Sequence, residues 1–366
     1  MPETGSRPAV AYVIVPDLSR VSRPRWRRFV ARPIALVVLV ALGLATLTGL
    51  VLGDQRAVRA QDSPTVTLTG GPGPAATISS TDEIDVQAAG SEMTGWKAAV
   101  LGVVEGVTEY LPISSTGHLL ITQRLLGIGE DPATKDAADS YLIAIQFGAI
   151  LAVLVLYRRR IATVVAGLFG RDVDGRRLLI ALVCATAPAV VIGVLFEKPI
   201  KDNLLGPWPV VAAWIAGGVL ILAIADKVRA DRPGLSLTHI GPKQALIIGA
   251  AQVIAMWPGT SRSLVTILAA LAIGSTLAAA VEFSFLLGLV TLTGATLYEG
   301  AKNGSTVVDA YGVIDPVIGL LFAFAAAALA IKWMVSWLQT RSLAIFGWER
   351  LVVAAITIGL LAAGTI

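Results

Sequence analysis

The chain has 366 residues, 55% of them hydrophobic and only 15% charged, and a net charge of +4. Soluble domains carry about 25% charged residues, so this balance excludes an ordinary soluble protein and points to a membrane. The single cysteine, Cys184, excludes an intrachain disulfide framework, no Cys/His cluster has zinc spacing, and nothing supports nucleic-acid binding.

Residues 1–33 form a basic N-terminus, with Arg20, Arg23, Arg25, Arg27, Arg28 and Arg32 ahead of an uncharged stretch, IALVVLVALGLATLTGLVLG, at 34–53. About 20 apolar residues suffice to cross a bilayer, and the arginine flank places the N-terminus in the cytosol. A cleaved signal peptide competes, because Val58-Arg59-Ala60 could serve as a cleavage site. The apolar core exceeds the usual signal length of about 7–15 residues, so an uncleaved anchor is expected. Residues 54–95 are rich in Ser, Thr, Gly, Pro and acids and predict a flexible external linker.

From 96 onward, apolar runs predict spans at 141–157, 178–196, 208–225, 281–299, 313–333 and 348–366. Basic residues sort the loops between them. Arg158, Arg159, Arg160, Arg171, Arg176 and Arg177 mark one cytosolic loop. Lys227, Arg229, Arg232 and Lys243 mark a second, and Lys332, Arg341 and Arg350 a third. The weakly basic loops at 197–207 and 300–312 alternate with these as external loops.

Two apolar stretches, 97–111 and 243–257, are too short for ordinary spans and end at Pro112 and Pro258. Each is followed by a polar turn and a second short apolar stretch, the pattern of a re-entrant hairpin. At an offset of 146, KAAVLGVVEGVTEYLPISS (97–115) overlays KQALIIGAAQVIAMWPGTS (243–261), pairing Lys97 with Lys243, Pro112 with Pro258 and Ser115 with Ser261. Three spans follow each stretch, and the basic loops start the two halves on opposite sides. The expected fold is an all-α polytopic membrane protein with inverted-topology repeats, 96–225 and 243–366. Each repeat is a re-entrant helical hairpin plus three transmembrane helices, and an extra N-terminal transmembrane helix precedes the pair. The two polar turns should then face each other near the midplane.

The first turn lies in EGVTEYLPISSTGH, residues 105–118. Glu105 and Glu109, spaced i,i+4, share a helix face. Two carboxylates among apolar residues persist if a cation bridges them, if they share a proton, or if a positive group stands close. A divalent cation, Mg²⁺ or Ca²⁺, suits such ligands, with water and phosphate oxygens completing its shell. Ser114, Ser115 and Thr116 precede a short apolar run, and the N–H groups of a helix start favour an anion. Ser115 and His118, three residues apart, can form a nucleophile–base pair.

The second turn, PGTSRSLVT at 258–266, offers Gly259 for close backbone approach. It also offers Ser261 and Ser263 as hydroxyl donors, and Arg262, whose planar fork suits phosphate oxygens. Arg262 could equally pair with Glu105 or Glu109 when no phosphate is bound. Together the turns suit phosphoryl transfer from a lipid phosphate or diphosphate whose apolar part stays in the bilayer.

These residues resemble a known family. EGVTEYLPISSTGH is similar to the glutamate-rich motif of the undecaprenyl-diphosphate phosphatases, the bacitracin-resistance family. WPGTSRSLVT (257–266) resembles their second motif, PGxSRSxxT, and EFSFLL (282–287) resembles a further segment. The resemblance runs from about residue 96 to the C-terminus. It implies a multi-pass protein of the bacterial inner (plasma) membrane that takes the terminal phosphate from a polyprenyl diphosphate with the help of a divalent cation. The regenerated lipid carrier serves cell-wall synthesis, and the site opens to the outer face. Carried over by residue, Ser115 is nucleophile or phosphate ligand and His118 general base or acid. Glu105 and Glu109 bind metal or move protons, and Arg262 holds the diphosphate. Ser114, Thr116, Gly259, Ser261, Ser263 and Thr266 complete the substrate contacts.

The chain departs from the pattern at Leu264, where many members have glycine, and in residues 1–95, which lie outside the shared core. A transporter or flippase of polyprenyl phosphate is the main rival; it needs a phosphate clamp but no serine–histidine pair. An intramembrane serine protease would leave Arg262 and both glutamates without purpose, and an inactive paralogue is the third alternative. A homo-oligomer is compatible with the sequence, and His239, in a basic loop, is expected to be exposed and without role.

Overall fold

The computed structural model describes residues 92–228 and 230–366. The basic N-terminus 1–33, the anchor 34–53, the linker up to residue 91, and Arg229 lie outside the described residues. Among the described residues the chain is helical, with no strand and one isolated bridge, Leu235 to Ser275.

The first half comprises α1 (Gly95–Thr108), α2 (Ser115–Leu125), α3 (Lys135–Ala144), α4 (Gln146–Leu156), α5 (Arg158–Leu168), α6 (Val173–Leu204) and α7 (Pro207–Ile224). The second comprises α8 (Pro242–Gln252), α9 (Arg262–Ala272), α10 (Leu277–Tyr311), α11 (Ile314–Leu338) and α12 (Ala344–Ala362). Among the described residues six segments are long and apolar enough to cross a membrane: 135–156 (α3 with α4), 173–196, 207–227, 277–311, 314–338 and 344–362. They coincide with the six expected spans.

The differences lie in the loops. The basic stretch after residue 157 is helical, because Ile161 and Val164 recur on one face and pack on the core while Arg158 and Arg159 point out. On α5, Arg160 reaches Glu282 of α10 at 2.8 Å. The external loop expected at 300–312 is the end of α10, whose 35 residues stop at Gly312, φ 68°. At about 1.5 Å per residue α10 is some 50 Å long, more than a bilayer core requires. Most of the loop expected at 197–207 is likewise helix, since α6 continues through Pro188 and Pro199 to Leu204.

The helices α1 and α2 have 14 and 11 residues, α8 and α9 have 11 each, and none is long enough to span alone. Small residues seat the first of each pair. On α1, Gly102 and Gly106 lie against the backbone of α11 at Gly319 and Ala323, so closely that a methyl group at either would collide. On α8, Gly249 lies in the same way against the backbone of α6 at Ala185. Small residues four apart let helices approach where lipid supplies no hydrophobic drive between them. Thus α1 packs on a helix of the second half, α8 on a helix of the first, and α7 runs along α12.

Candidate active site

Each short helix pair breaks at a turn, and both turns end in the same unusual backbone. Ser114 (φ 77°, ψ 101°) precedes α2, and Ser261 (φ 76°, ψ 112°) precedes α9. Among the described residues they are the two non-glycine positions with positive φ. Such a conformation costs about 1–3 kcal/mol and persists only where surrounding contacts enforce it. The backbone therefore matches Ser114 with Ser261, an offset of 147, whereas the sequence overlay paired Ser115 with Ser261. The second turn has one more residue between its proline and its serine, as the stretches PIS and PGTS show.

Side chains from three other elements hold the first turn. The Leu111 carbonyl accepts from Ser263 Oγ at 2.7 Å and from Ser261 Oγ at 3.5 Å. The Pro112 carbonyl accepts from Arg350 Nη1 at 3.0 Å, and that of Ile113 from Trp214 Nε1 at 3.0 Å. Fully buried, Arg350 also donates through Nη2 to the carbonyls of Gly259, Thr260 (3.0 Å) and Ala213 (3.3 Å). One guanidinium from α12 thereby ties both turns to α7. This corrects the expectation of Arg350 as a cytosolic loop charge: it lies inside α12, six residues past the helix start.

Across the turns, Glu109 joins the groups expected to act. Its Oε2 accepts from Ser115 Oγ and its Oε1 from Arg262 Nη2 at 3.0 Å. Arg262 Nη1 donates to the Ser284 carbonyl at 2.9 Å, its guanidinium lies 5.3 Å from the Tyr110 ring centroid, and its buried Nε has no hydrogen-bond partner among the described residues. Gly288 leaves room for that guanidinium, which any side chain at 288 would displace. Thr266 is committed to the wall, donating to the Arg262 carbonyl at 2.8 Å and meeting Ser284 Oγ at 2.7 Å. Ser261 caps α9 through the Leu264 N–H, and Leu264 itself turns into the apolar core rather than toward the turns. Thr116 is the exposed hydroxyl at the start of α2.

His118 sits beside this chain of contacts without touching Ser115 through a hydrogen bond. Its Nδ1 meets the Ser114 carbonyl at 2.7 Å and its Nε2 meets Glu349 Oε1 at 2.8 Å, with Trp214 edge-on at 5.0 Å. The partner expected of Ser115 from spacing was His118; the partner it has is Glu109. Glu349 and Arg350 are the two residues that sequence reasoning missed. His239 is exposed, as expected, and its Nδ1 meets Ser236 Oγ at 2.7 Å.

Glu105, one turn before Glu109, is fully buried, and among the described residues neither of its carboxylate oxygens has a hydrogen-bond partner. A buried carboxylate without a partner is costly, and a cation relieves that cost. Among the described residues no three His, Cys, Asp or Glu side chains converge as a metal set. A divalent cation at Glu105 fits if its other ligands are an oxygen of Glu109, phosphate oxygens and water.

Comparison with known proteins gives the chain its relatives. A family model described as bacitracin resistance protein BacA matches residues 98–356. The chain is 43% identical over 272 residues to an undecaprenyl-diphosphatase of Sorangium cellulosum, covering 73% of this chain and 87% of that one. It is 40% identical over 259 residues to undecaprenyl-diphosphatase 1 of Burkholderia lata, covering 70% and 91%. With an undecaprenyl-diphosphatase of Bradyrhizobium diazoefficiens it shares 39% over 267 residues, covering 73% and 96%.

Proposed function

The chain belongs to the bacitracin resistance protein BacA family; from that membership and the joined turns we propose that it is a multi-pass membrane enzyme hydrolysing undecaprenyl diphosphate to undecaprenyl phosphate and inorganic phosphate. The observation that carries this reading is the bridge through Glu109, with the Ser115 hydroxyl on one carboxylate oxygen and Arg262 on the other. Ser115 Oγ attacks the terminal phosphorus and its proton passes to Glu109. The Oγ–P bond forms, the bond to the bridging oxygen breaks, and the lipid phosphate leaves with that electron pair and the proton held by Glu109. Glu109 then takes a proton from water as the water oxygen bonds to phosphorus. The P–Oγ bond breaks, and Ser115 recovers its proton from Glu109. Arg262 turns from Glu109 to the phosphate, where its unpaired Nε gives a further donor.

A divalent cation held by Glu105 and Glu109 would supply neutralisation of charge on the diphosphate. The family setting supports roles in lipid-carrier recycling for cell-wall synthesis and in bacitracin resistance. Support for inverted repeats with two re-entrant hairpins comes from the shared backbone at Ser114 and Ser261 and from the crossed seating of α1 on α11 and α8 on α6. The arginine-rich flank at 20–32 supports a cytosolic N-terminus, and the family resemblance supports a site that opens to the outer face.

The test is phosphate release by the purified full chain in detergent with Mg²⁺ or Ca²⁺, supplied with undecaprenyl diphosphate. One inorganic phosphate for each lipid phosphate formed is expected. Movement of undecaprenyl phosphate across vesicles without phosphate release would instead support a flippase, which has no use for the Ser115–Glu109 hydrogen bond.

A further inference from the structure

One contact of the site has no part in the chemistry above: the carboxylate of Glu349 against His118. Glu349 comes from α12, its side chain is 13% exposed, and its second oxygen, Oε2, is buried without a hydrogen-bond partner among the described residues. The acceptors around the ring define what it can be. The Ser114 carbonyl only accepts, so Nδ1 carries a proton; where Glu349 is ionised its oxygen also accepts, and Nε2 then donates to it. Trp214 from α7 fixes the ring plane. Of the other charged groups of the site, Glu105 lies one turn before Glu109 with no hydrogen-bond partner among the described residues. Arg350 is bound to backbone carbonyls, and Glu109 and Arg262 pair with each other beyond Ser115.

The Ser114 carbonyl belongs to the strained residue just ahead of Ser115. The contacts therefore run from Glu349 through the ring to the backbone that aims the Ser115 hydroxyl. We propose that Glu349 is a positioning residue for the reaction: it holds His118 as a cation whose Nδ1 grips the Ser114 carbonyl, which fixes the Ser114–Ser115 turn and sets a second positive charge beside the phosphate site. This rests on the function assigned above and adds to it a residue that neither motif contains.

The experiment uses ¹⁵N-histidine NMR and steady-state kinetics on the full chain in detergent at one pH near neutrality. The chain has two histidines, so His239→Gln leaves His118 as the one imidazole signal. In that background the ring is expected to show protons on both nitrogens. In Glu349→Gln, similar in shape but uncharged, it should show a neutral ring protonated at Nδ1. The same variant should lose about tenfold to a hundredfold in kcat, as partners that orient a functional histidine commonly do, with KM unchanged. Glu349→Asp should regain the doubly protonated signal and part of kcat. An active wild type together with a Glu349→Gln variant of unchanged kcat or unchanged ring spectrum overturns the proposal. A wild type that releases no phosphate removes the assigned reaction, and this role with it, whatever the spectra show; the two failures are thus distinguishable.

Discussion

Ser115→Ala is expected to lower kcat on undecaprenyl diphosphate by about 10³-fold or more, the scale seen when a nucleophile is removed. That loss corresponds to about 4 kcal/mol of transition-state free energy at 1.36 kcal/mol per decade. The change in stability should be smaller, about 1–2 kcal/mol, because one hydrogen bond to a carboxylate is lost and no new cavity opens. Chemistry and folding therefore separate in this variant, and it should purify and melt almost as wild type does. The neighbouring Ser114 provides the contrast. Its carbonyl is held by His118, but its hydroxyl has no bond to Glu109. Activity retained in Ser115→Ala and lost in Ser114→Ala would move the nucleophile by one residue and break the account of the first turn.

The second large effect is on the fold. Arg350→Leu removes the donor from four carbonyls at once, those of Pro112, Ala213, Gly259 and Thr260. Each buried acceptor left without a partner costs about 1–3 kcal/mol, and the sum is less than additive because the turns can relax. A total near 4 kcal/mol is expected, read as a fall in thermal midpoint on the order of 10 °C or as failure to purify folded protein. Arg350→Lys should recover only part of this, because one ammonium cannot repeat the forked reach of a guanidinium. Activity should fall in both variants even below the melting range, since the two turns are no longer tied to α7. Wild-type stability in Arg350→Leu would show that the turns are held by something else.

Much of this was legible in the sequence because it depends on local pattern. The six apolar spans, the short helices broken near Pro112 and Pro258, and the membership of both turns in one site follow from run length and residue type. The close seating of α1 was not read from the sequence, because the Gly102–Gly106 spacing does not say which backbone it meets. What was not legible depends on distant contacts. Arg350 stands near the start of the last span, where an arginine looks like a flank held in the cytosol. Its partners lie 238, 137, 91 and 90 residues away, and no local pattern announces them. Glu349 is hidden for the same reason, since its partner is 231 residues earlier.

The partner of Ser115 is a subtler case. Spacing on one helix brought His118 into consideration, but Ser115 is the first residue of α2 and faces back across the turn to Glu109 on the preceding segment. The expected loops at 197–207 and 300–312 failed differently. Polar residues at the end of a span read as loop, whereas α6 and α10 continue as helices past the length a bilayer requires.

The central claim is that two turns, one from each half of the chain, act as a single phosphate-processing site joined at Glu109 and Arg262. A double-mutant cycle tests it most directly: kcat/KM for phosphate release from undecaprenyl diphosphate by wild type, Glu109→Gln, Arg262→Gln and the double variant. Residues acting as one unit couple by about 0.5–3 kcal/mol, so the double variant should be about as slow as the slower single variant. Losses that multiply, leaving no coupling between the two residues, would contradict the account.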